Sequence, residues 1–122
     1  MILKKKINTI YYIILLIFSF FINQYFGFIG INPIDSFFSF NTGYEILNGY
    51  YPFKDYWTIT GPFIGFVQAF IFKILDVTWN SYVIHASIFN SLITLTTFYT
   101  LKKFKLNKHY CFLYSFCVAL LA

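Results

Sequence analysis

Long apolar runs restrict the fold of this chain more than any other feature of its sequence. Hydrophobic residues make up 59% of the 122 residues and charged residues only 11%. That leaves too little charge to cover the surface of a soluble domain of this size. The apolar runs also exceed the length of strands and of ordinary core helices. The sequence therefore predicts an all-α, polytopic membrane protein.

Four apolar segments can be placed along the chain, at about residues 8–29, 62–77, 81–101 and 110–122. A helix needs about 20 apolar residues to cross a bilayer, so the first and third segments are expected transmembrane helices. No small residues at A-x-A spacing follow the first one, which favours an uncleaved signal anchor. The fourth stops among apolar residues at Ala122. We therefore expect a truncated span there, in the N-terminal membrane portion of a larger polytopic protein.

Two lysine clusters set the expected orientation in the membrane. They lie before the first segment and after the third, at Lys4, Lys5 and Lys6 and at Lys102, Lys103, Lys105 and Lys108. Lysines beside spanning helices mark the cytoplasmic side, so both clusters indicate topology and not a nucleic-acid site. An even number of crossings between them then places the N-terminus inside and residues 30–79 outside, as an external loop.

The 62–77 segment is expected to lie in the membrane interface instead of crossing the bilayer. It starts at Pro62, a favourable first residue for a helix. One face of that helix would carry a small and polar stripe of Gly65, Gln68, Ala69, Phe72, Lys73 and Asp76. Such a stripe suits an interfacial helix. The alternative is a true span whose stripe faces other helices, with Lys73 and Asp76 paired.

A second short helix is expected in the external loop, near residues 35–48. Its apolar residues recur at helical spacing and are Phe37, Phe40, Tyr44 and Leu47. Gly49 follows as the expected terminator. Tyrosine and tryptophan settle at the headgroup level of a bilayer, and the loop contains Tyr50, Tyr51, Tyr56 and Trp57. The loop should therefore form a compact cap on the outer membrane surface.

The acidic residues of this loop are the candidates for chemistry. Asp35 begins the first short helix, where it is either an N-cap that accepts backbone N–H bonds or a general base. A base at the membrane surface would take a proton from an acceptor hydroxyl. Asp55, next to Lys54, is either a solvated or locally paired loop residue or a supporting carboxylate. Glu45 is expected to be a solvated helix residue.

The remaining polar residues favour structural roles. His85 and His109 have no second ligand at metal spacing, so both are expected to be helix-end residues. Cys111 and Cys117 lie in an apolar run, which favours packing over a disulfide or metal pair. The residues expected to mediate contacts between helices are Asn90, Ser91, Thr94, Thr96 and Thr97. No cofactor is certain, and no spacing points to a divalent metal.

The string EILNGYYPFKDYW from Glu45 to Trp57, followed by Gly61-Pro62, carries a family resemblance. With the signal anchor and Asp35 before it, this pattern resembles the N-terminal part of the GT-C membrane glycosyltransferases. That group includes the protein mannosyltransferases and the bacterial aminoarabinose and related sugar transferases. In those enzymes an aspartate of the first external loop precedes an LxxGxxPYxDxW…P stretch. The resemblance covers about residues 7–105.

The resemblance implies transfer of a sugar from a polyprenyl-phosphate donor to a lipid, glycan or protein acceptor, usually with inversion. Asp35 matches the catalytic aspartate and Asp55 the aspartate of the PYxD stretch, beside which Lys54, Tyr56 and Trp57 are expected to contact substrate. Many relatives have glutamate directly after the catalytic aspartate, whereas this chain has Ser36. The implied partners are the lipid bilayer, the lipid-linked donor and the remainder of the same polypeptide, without which the chain should be inactive.

Two other readings of the sequence stay open. The chain could be a non-enzymatic small membrane protein whose aromatic loop anchors it or docks to a partner, or a piece of a surface-polysaccharide flippase or polymerase. The carboxylates should be replaceable in the non-enzymatic protein but not in the transferase. Abundant Ile, Asn, Lys, Phe and Tyr without any Arg are typical of AT-rich coding. This composition favours a bacterial cytoplasmic membrane as the location.

Overall fold

The structure is a computed structural model that describes residues 2–30, 33–59 and 61–121, without the side chains of residues 2–8, 33 and 34. In these ranges the chain forms the helices α1 (Ile2–Gly27), α2 (Pro33–Leu47), α3 (Pro62–Leu75), α4 (Trp79–Lys103) and α5 (Lys108–Leu121). They contain no strand, only an isolated bridge between Pro52 and Tyr56. The predicted all-helical fold is confirmed.

The described residues separate into two compact units. The helix unit consists of α1 up to Phe26, α4 from Ala86 onward, and α5. The loop unit is the span Gly27–His85, which contains α2, α3 and the first turns of α4. The candidate carboxylates of the external loop all belong to the loop unit.

Helix α2 ends in the conformation that its sequence predicts. Gly49 has a φ of 91°, a left-handed conformation that glycine adopts without the steric cost of a Cβ atom. The Tyr50 N–H donates to the Glu45 carbonyl and the Gly49 N–H to the Ile46 carbonyl, both at 3.0 Å. This pair of bonds is a Schellman motif, and it satisfies carbonyls that the end of a helix would otherwise leave unpaired.

A short connection joins α3 to α4. Helix α3 begins at Pro62 and is followed by Asp76, which has a φ of 65°. The Thr78 hydroxyl accepts the Ser81 N–H at 3.1 Å and so caps α4, as an N-cap threonine does. The Ser81 hydroxyl in turn donates to the Leu75 carbonyl at 2.9 Å. These bonds fix the angle at which the chain leaves α3.

The stripe predicted on α3 is the face that packs against α2. Gly65, Gln68, Ala69 and Phe72 are the buried residues of α3. A Cβ atom built on Gly65 would lie only 2.5 Å from Thr42 Cγ2 on α2, so the two helices are in close backbone contact. Lys73 and Asp76 remain exposed at the end of α3. The stripe therefore faces protein along most of its length.

Aromatic rings fill the space between α2, α3 and the start of α4. The Phe40 ring centroid lies 4.8 Å from that of Phe72, 6.4 Å from that of Trp79 and 6.1 Å from that of Tyr82. The indole N–H of Trp79 donates to the Gly27 carbonyl at 2.8 Å. Gly27 and Trp79 both belong to the loop unit, so this bond is internal to it.

A polar seam runs through the helix unit. The Asn90 side-chain amide donates to the carbonyls of Ser19 at 3.2 Å and Ala119 at 3.0 Å, while its oxygen accepts the Thr94 hydroxyl at 3.3 Å. The Ser19 and Ser91 hydroxyls meet at 3.1 Å. Asn90 thus joins α1, α4 and α5, and the predicted packing role of Asn90, Ser91 and Thr94 agrees with these contacts.

The other two predicted packing residues take no part in the seam. The Thr96 and Thr97 hydroxyls donate to carbonyls of their own helix, at Leu92 and Ile93. These bonds are local to α4 and do not join two helices, so the predicted packing role of Thr96 and Thr97 is not supported.

The described side chains have an inverted polarity. Eleven buried residues are polar and seven are hydrophobic, while large apolar side chains of every helix are exposed. Within the described ranges one helix, over Thr9–Gly27, is long and apolar enough to cross a membrane, and 11% of its window is buried. A soluble core helix would be mostly buried, so this finding fits a membrane span or a signal sequence. Spans in α4 and α5 stay predictions.

Candidate functional site

Asp35 lies in the first turn of α2 and its side chain is exposed. Because α2 begins at Pro33, Asp35 lies in the first turn of the helix, where unpaired backbone N–H groups are found. A carboxylate in this turn interacts favourably with the positive end of the helix dipole. Asp35 thus places a carboxylate at the surface of the loop unit.

Hydroxyl groups surround the first turn of α2. The side chains of Ser36 and Ser39 lie close to the Tyr82 hydroxyl, and the Asp35 carboxylate is near enough for its charge to act on the same phenol. Tyr82 is held in this position by its ring contacts, with a centroid distance of 5.0 Å to Trp79. The loop unit thereby places three hydroxyls beside one carboxylate.

Asp55 has a structural task in the loop that follows α2. Its carboxylate accepts the Tyr51 N–H at 2.8 Å, and its own N–H donates to the Tyr51 carbonyl at 2.9 Å. The Phe53 N–H donates to the Tyr56 carbonyl at 2.8 Å, and Phe53 itself has a φ of 65°. These bonds close a tight turn over residues 51–56, which the Asp55 carboxylate stabilises.

Tyr56 attaches this turn to α2. Its hydroxyl donates to the Thr42 carbonyl at 3.3 Å. Burial raises the pKa of the Tyr56 phenol, and the negative charge of Glu45 raises it further. The phenol therefore stays protonated, and remains a hydrogen-bond donor, throughout the neutral pH range.

The predicted site residues fall into two groups. Lys54, Asp55 and Tyr56 share the tight turn, where the Lys54 ammonium lies 5.7 Å from the centroid of the Tyr51 ring. Trp57 follows them and is 73% exposed. The turn meets α2 at Thr42, about 10 Å along the helix axis from Asp35 at about 1.5 Å per residue. Asp35 instead shares its surroundings with Tyr82.

Tyr82 is the residue that sequence reasoning missed. It is distant from Asp35 in the chain and carries no motif. The only local signal is a tyrosine in the first turns of a helix, which is too common to be specific. The position of Tyr82 beside Ser36 depends on the packing of α4 against α2. That contact between helices cannot be predicted from a single sequence.

Both histidines are engaged in contacts within their own units. His85 is buried and its Nδ1 contacts the Gln68 side-chain oxygen; an amide oxygen only accepts, so this nitrogen carries the proton. His109 Nδ1 lies 2.8 Å from the Tyr11 hydroxyl. No group of three or more His, Cys, Asp or Glu that could hold a metal ion occurs in the described ranges.

The arrangement at Asp35 suits proton transfer from an alcohol. An ionised carboxylate accepts a hydroxyl proton when it comes within about 2.6–3.2 Å of that oxygen, and the Asp35 side chain is exposed. The neighbouring hydroxyls of Ser36, Ser39 and Tyr82 can form hydrogen bonds with further oxygens of a polyol. Comparison with known proteins adds no constraint: no family model, curated protein or solved structure matches the chain.

Proposed function

We propose that the chain is the N-terminal membrane portion of a GT-C-like glycosyltransferase of the bacterial cytoplasmic membrane. It would transfer a sugar from a polyprenyl-phosphate donor to a lipid, glycan or protein acceptor on the non-cytoplasmic side. The observation that carries the proposal is the exposed Asp35 carboxylate in the first turn of α2, among the hydroxyls of Ser36, Ser39 and Tyr82. The Glu45–Trp57 string supports the same family.

In the proposed reaction Asp35 is the general base. Its carboxylate accepts the proton of the acceptor hydroxyl while that oxygen forms a bond to the anomeric carbon of the sugar. The bond from the anomeric carbon to the donor phosphate breaks, and polyprenyl phosphate leaves with the electron pair. A single displacement of this kind inverts the anomeric configuration.

The remaining carboxylates have lesser roles in this proposal. Asp55 shapes the turn that carries Lys54 and Trp57, and these side chains would contact the substrate from the loop. Glu45 is half-buried on α2 and affects Tyr56 through its charge. Neither Asp55 nor Glu45 transfers a proton in the proposed reaction.

Asp35→Asn tests the proposal in the full reading frame that contains this chain. Asparagine keeps the size of the side chain but cannot act as a base, so we expect the rate of sugar transfer to fall by about 10²–10⁴-fold. The loss of one charge from the first turn should cost only about 0.3–1 kcal/mol of stability. Transfer is measured in membranes with a polyprenyl-phosphate sugar donor, and the amount of inserted protein is measured alongside.

Matched carboxylate variants serve as controls. Asp76→Asn removes another exposed carboxylate, at the end of α3, and should leave transfer unchanged. Asp55→Asn should be milder than Asp35→Asn, because the amide oxygen still accepts the Tyr51 N–H, and Glu45→Gln should be near neutral. If Asp35→Asn keeps most of the transfer rate, Asp35 is not the base and has a structural role only. Absence of transfer by the unchanged protein would favour the non-enzymatic reading.

A further inference from the structure

The outward face of α3 is apolar over its whole length. The side chains of Phe63, Phe66, Phe70 and Ile74 recur at helical spacing and are between 46% and 65% exposed. Such a stripe is the pattern of an amphipathic helix whose apolar side needs a partner. Contiguous apolar surface of this kind is rare on soluble proteins and marks an interaction site.

The opposite face of α3 is already occupied. Gly65, Gln68 and Ala69 are buried against α2, and a Cβ atom on Gly43 of α2 would lie 2.8 Å from Gln68 Cβ. The small and polar side is thus sealed by protein, and α3 cannot rotate to hide its phenylalanines without breaking this contact. The apolar face must therefore be covered by something outside the loop unit.

The segment that leads into α3 extends the same kind of surface. Trp57 and Ile59 are 73% and 74% exposed, and both precede the first turn of α3. Tryptophan is enriched at the headgroup level of membranes, where its ring is in apolar surroundings and its N–H in water. At the other end of the helix the exposed Lys73 has a long apolar stem that allows its ammonium to reach headgroup phosphates.

The length of α3 decides how it would meet a bilayer. It has 14 residues, which span about 21 Å at about 1.5 Å per residue, against a hydrocarbon core of about 30 Å. A helix too short to span, whose exposed face is apolar and whose other face packs against protein, is suited to lie in the plane of the interface. The loop unit also contains Gly27, the end of the apolar helix Thr9–Gly27, which places it at a bilayer surface if that helix crosses.

We propose that the outward face of α3, with Trp57 and Ile59, is a lipid-binding surface that docks the loop unit onto a bilayer. Phe63, Phe66, Phe70 and Ile74 enter the boundary between headgroups and acyl chains. This inference goes beyond sugar transfer, since it holds whether or not Asp35 is a base.

Site-directed spin labelling of the full chain tests the proposal. Cys111→Ala and Cys117→Ala remove the native thiols, and single cysteines at positions 63, 66, 70 and 74 carry the nitroxide. The protein is reconstituted in vesicles of phosphatidylethanolamine and phosphatidylglycerol. Collision with oxygen, which concentrates in lipid, is compared with collision with a water-soluble nickel chelate. These side chains are between 46% and 65% exposed, so the labels replace only part of each internal contact.

Three reference positions calibrate the measurement. Ile17 on α1 is an exposed apolar position, Lys103 at the end of α4 is an exposed charged one, and Asn41 is exposed on α2. We expect the oxygen-to-nickel ratio at the four α3 positions to lie well above that at position 103 and at or below that at position 17. Position 41 should resemble position 103.

Two results would overturn the proposal. A ratio at the α3 positions equal to that at position 103 would mean that the face lies in water. Low accessibility to both reagents, with spin–spin broadening between labels, would mean that a second copy of the chain covers it. Neither result depends on transferase activity, and retention of transfer in Asp35→Asn does not bear on the lipid contact, so the two proposals fail separately.

Discussion

Two glycines set the distance between α2 and α3. A Cβ atom on Gly43 would lie 2.8 Å from Gln68 Cβ, and one on Gly65 would lie 2.5 Å from Thr42 Cγ2 and 2.9 Å from Ile46 Cδ1. Real Cβ atoms do not approach other atoms so closely, so any larger residue forces the helices apart. Small residues that allow close backbone approach are typical of helix contacts in membranes. The hairpin of the loop unit therefore depends on both glycines.

Gly43→Ala should destabilise the fold by about 1–3 kcal/mol, the usual cost of adding a methyl group to a closely packed site. Alanine has a higher helix propensity than glycine by about 1 kcal/mol, and this gain offsets part of the packing cost. Thermal unfolding of the purified variant in detergent, followed by circular dichroism, measures the change.

Gly30→Ala is the matched control for this substitution. A Cβ atom at Gly30 would meet no atom within 4 Å, so its unfolding temperature should stay close to that of the unchanged chain. Equal stability of the Gly43→Ala and Gly30→Ala variants would show that α2 and α3 are not in the close contact described above.

Among the helices, the contact at Asn90 connects three elements with one side chain. Its amide donates to carbonyls of α1 and α5 while it sits on α4. Hydrogen bonds of this type hold helices together where hydrophobic burial contributes little, because lipid is as apolar as the helix surface. The helix unit is thus joined by polar contacts as well as by the apolar core of Leu15, Phe98 and Cys111.

Replacing Asn90 by leucine, which has the same number and branching of side-chain heavy atoms, should lower the free energy of unfolding. Interhelical hydrogen bonds in membranes contribute about 0.6 kcal/mol on average and about 1.7 kcal/mol at most, and we expect a loss within that range. The readout is unfolding of the variant in detergent micelles. Thr97→Val is the control, because the Thr97 hydroxyl bonds only within α4; a loss no greater than that of the control would contradict the role of the seam.

Helix positions and faces could be predicted from the sequence, while the partners of those faces could not. Pro62 and Gly49 mark the beginning of α3 and the end of α2 through backbone rules that act over a few residues. The spacing of Gly65, Gln68 and Phe72 likewise predicted one face of α3. Spacing within one helix does not reveal what covers that face, and the stripe expected at the membrane interface is buried against α2.

At the candidate site, too, the residues could be predicted from the sequence but their contacts could not. Asp35 and Asp55 could be singled out as carboxylates in a polar loop, but the turn bonds of Asp55 depend on backbone geometry that no motif states. In α2 the apolar spacing pointed to Phe37 and Tyr44, both of which are largely exposed, whereas Thr42 and Gly43 are buried. Thr42 and Gly43 lie on the buried face of α2 because only small residues allow α3 to approach so closely.

At the scale of the whole molecule, polar side chains lie inside and apolar ones outside. Water would penalise this distribution, since exposed apolar area costs about 25 cal/mol per Å², whereas lipid does not. The buried amide nitrogen of Gln68 has no hydrogen-bond partner in the described part of the chain, which is a further cost in an apolar interior. The proposed lipid-binding face requires the loop unit to lie at a membrane surface, and the proposed transferase requires that surface to be the outer one.

Accessibility of two single cysteines to a membrane-impermeant thiol reagent tests that requirement. In a chain carrying Cys111→Ala and Cys117→Ala, one variant has Lys54→Cys in the exposed turn of the loop unit and the other has Phe104→Cys, at a residue that is 73% exposed near Lys105. Position 104 is used instead of Lys105, because Lys105 has a φ of 57°. A substitution at Lys105 would change a residue in this left-handed conformation, whereas Phe104→Cys leaves it in place. Labelling is compared in intact and in permeabilised cells.

The account predicts that position 54 reacts in intact cells and that position 104 reacts only after permeabilisation, since lysine-rich ends of spanning helices stay in the cytoplasm. Reaction of position 104 from outside would mean an odd number of crossings between the lysine clusters, with α3 as a true span. Failure of position 54 to react in intact cells, with full reaction after permeabilisation, would place the loop unit inside and contradict the account.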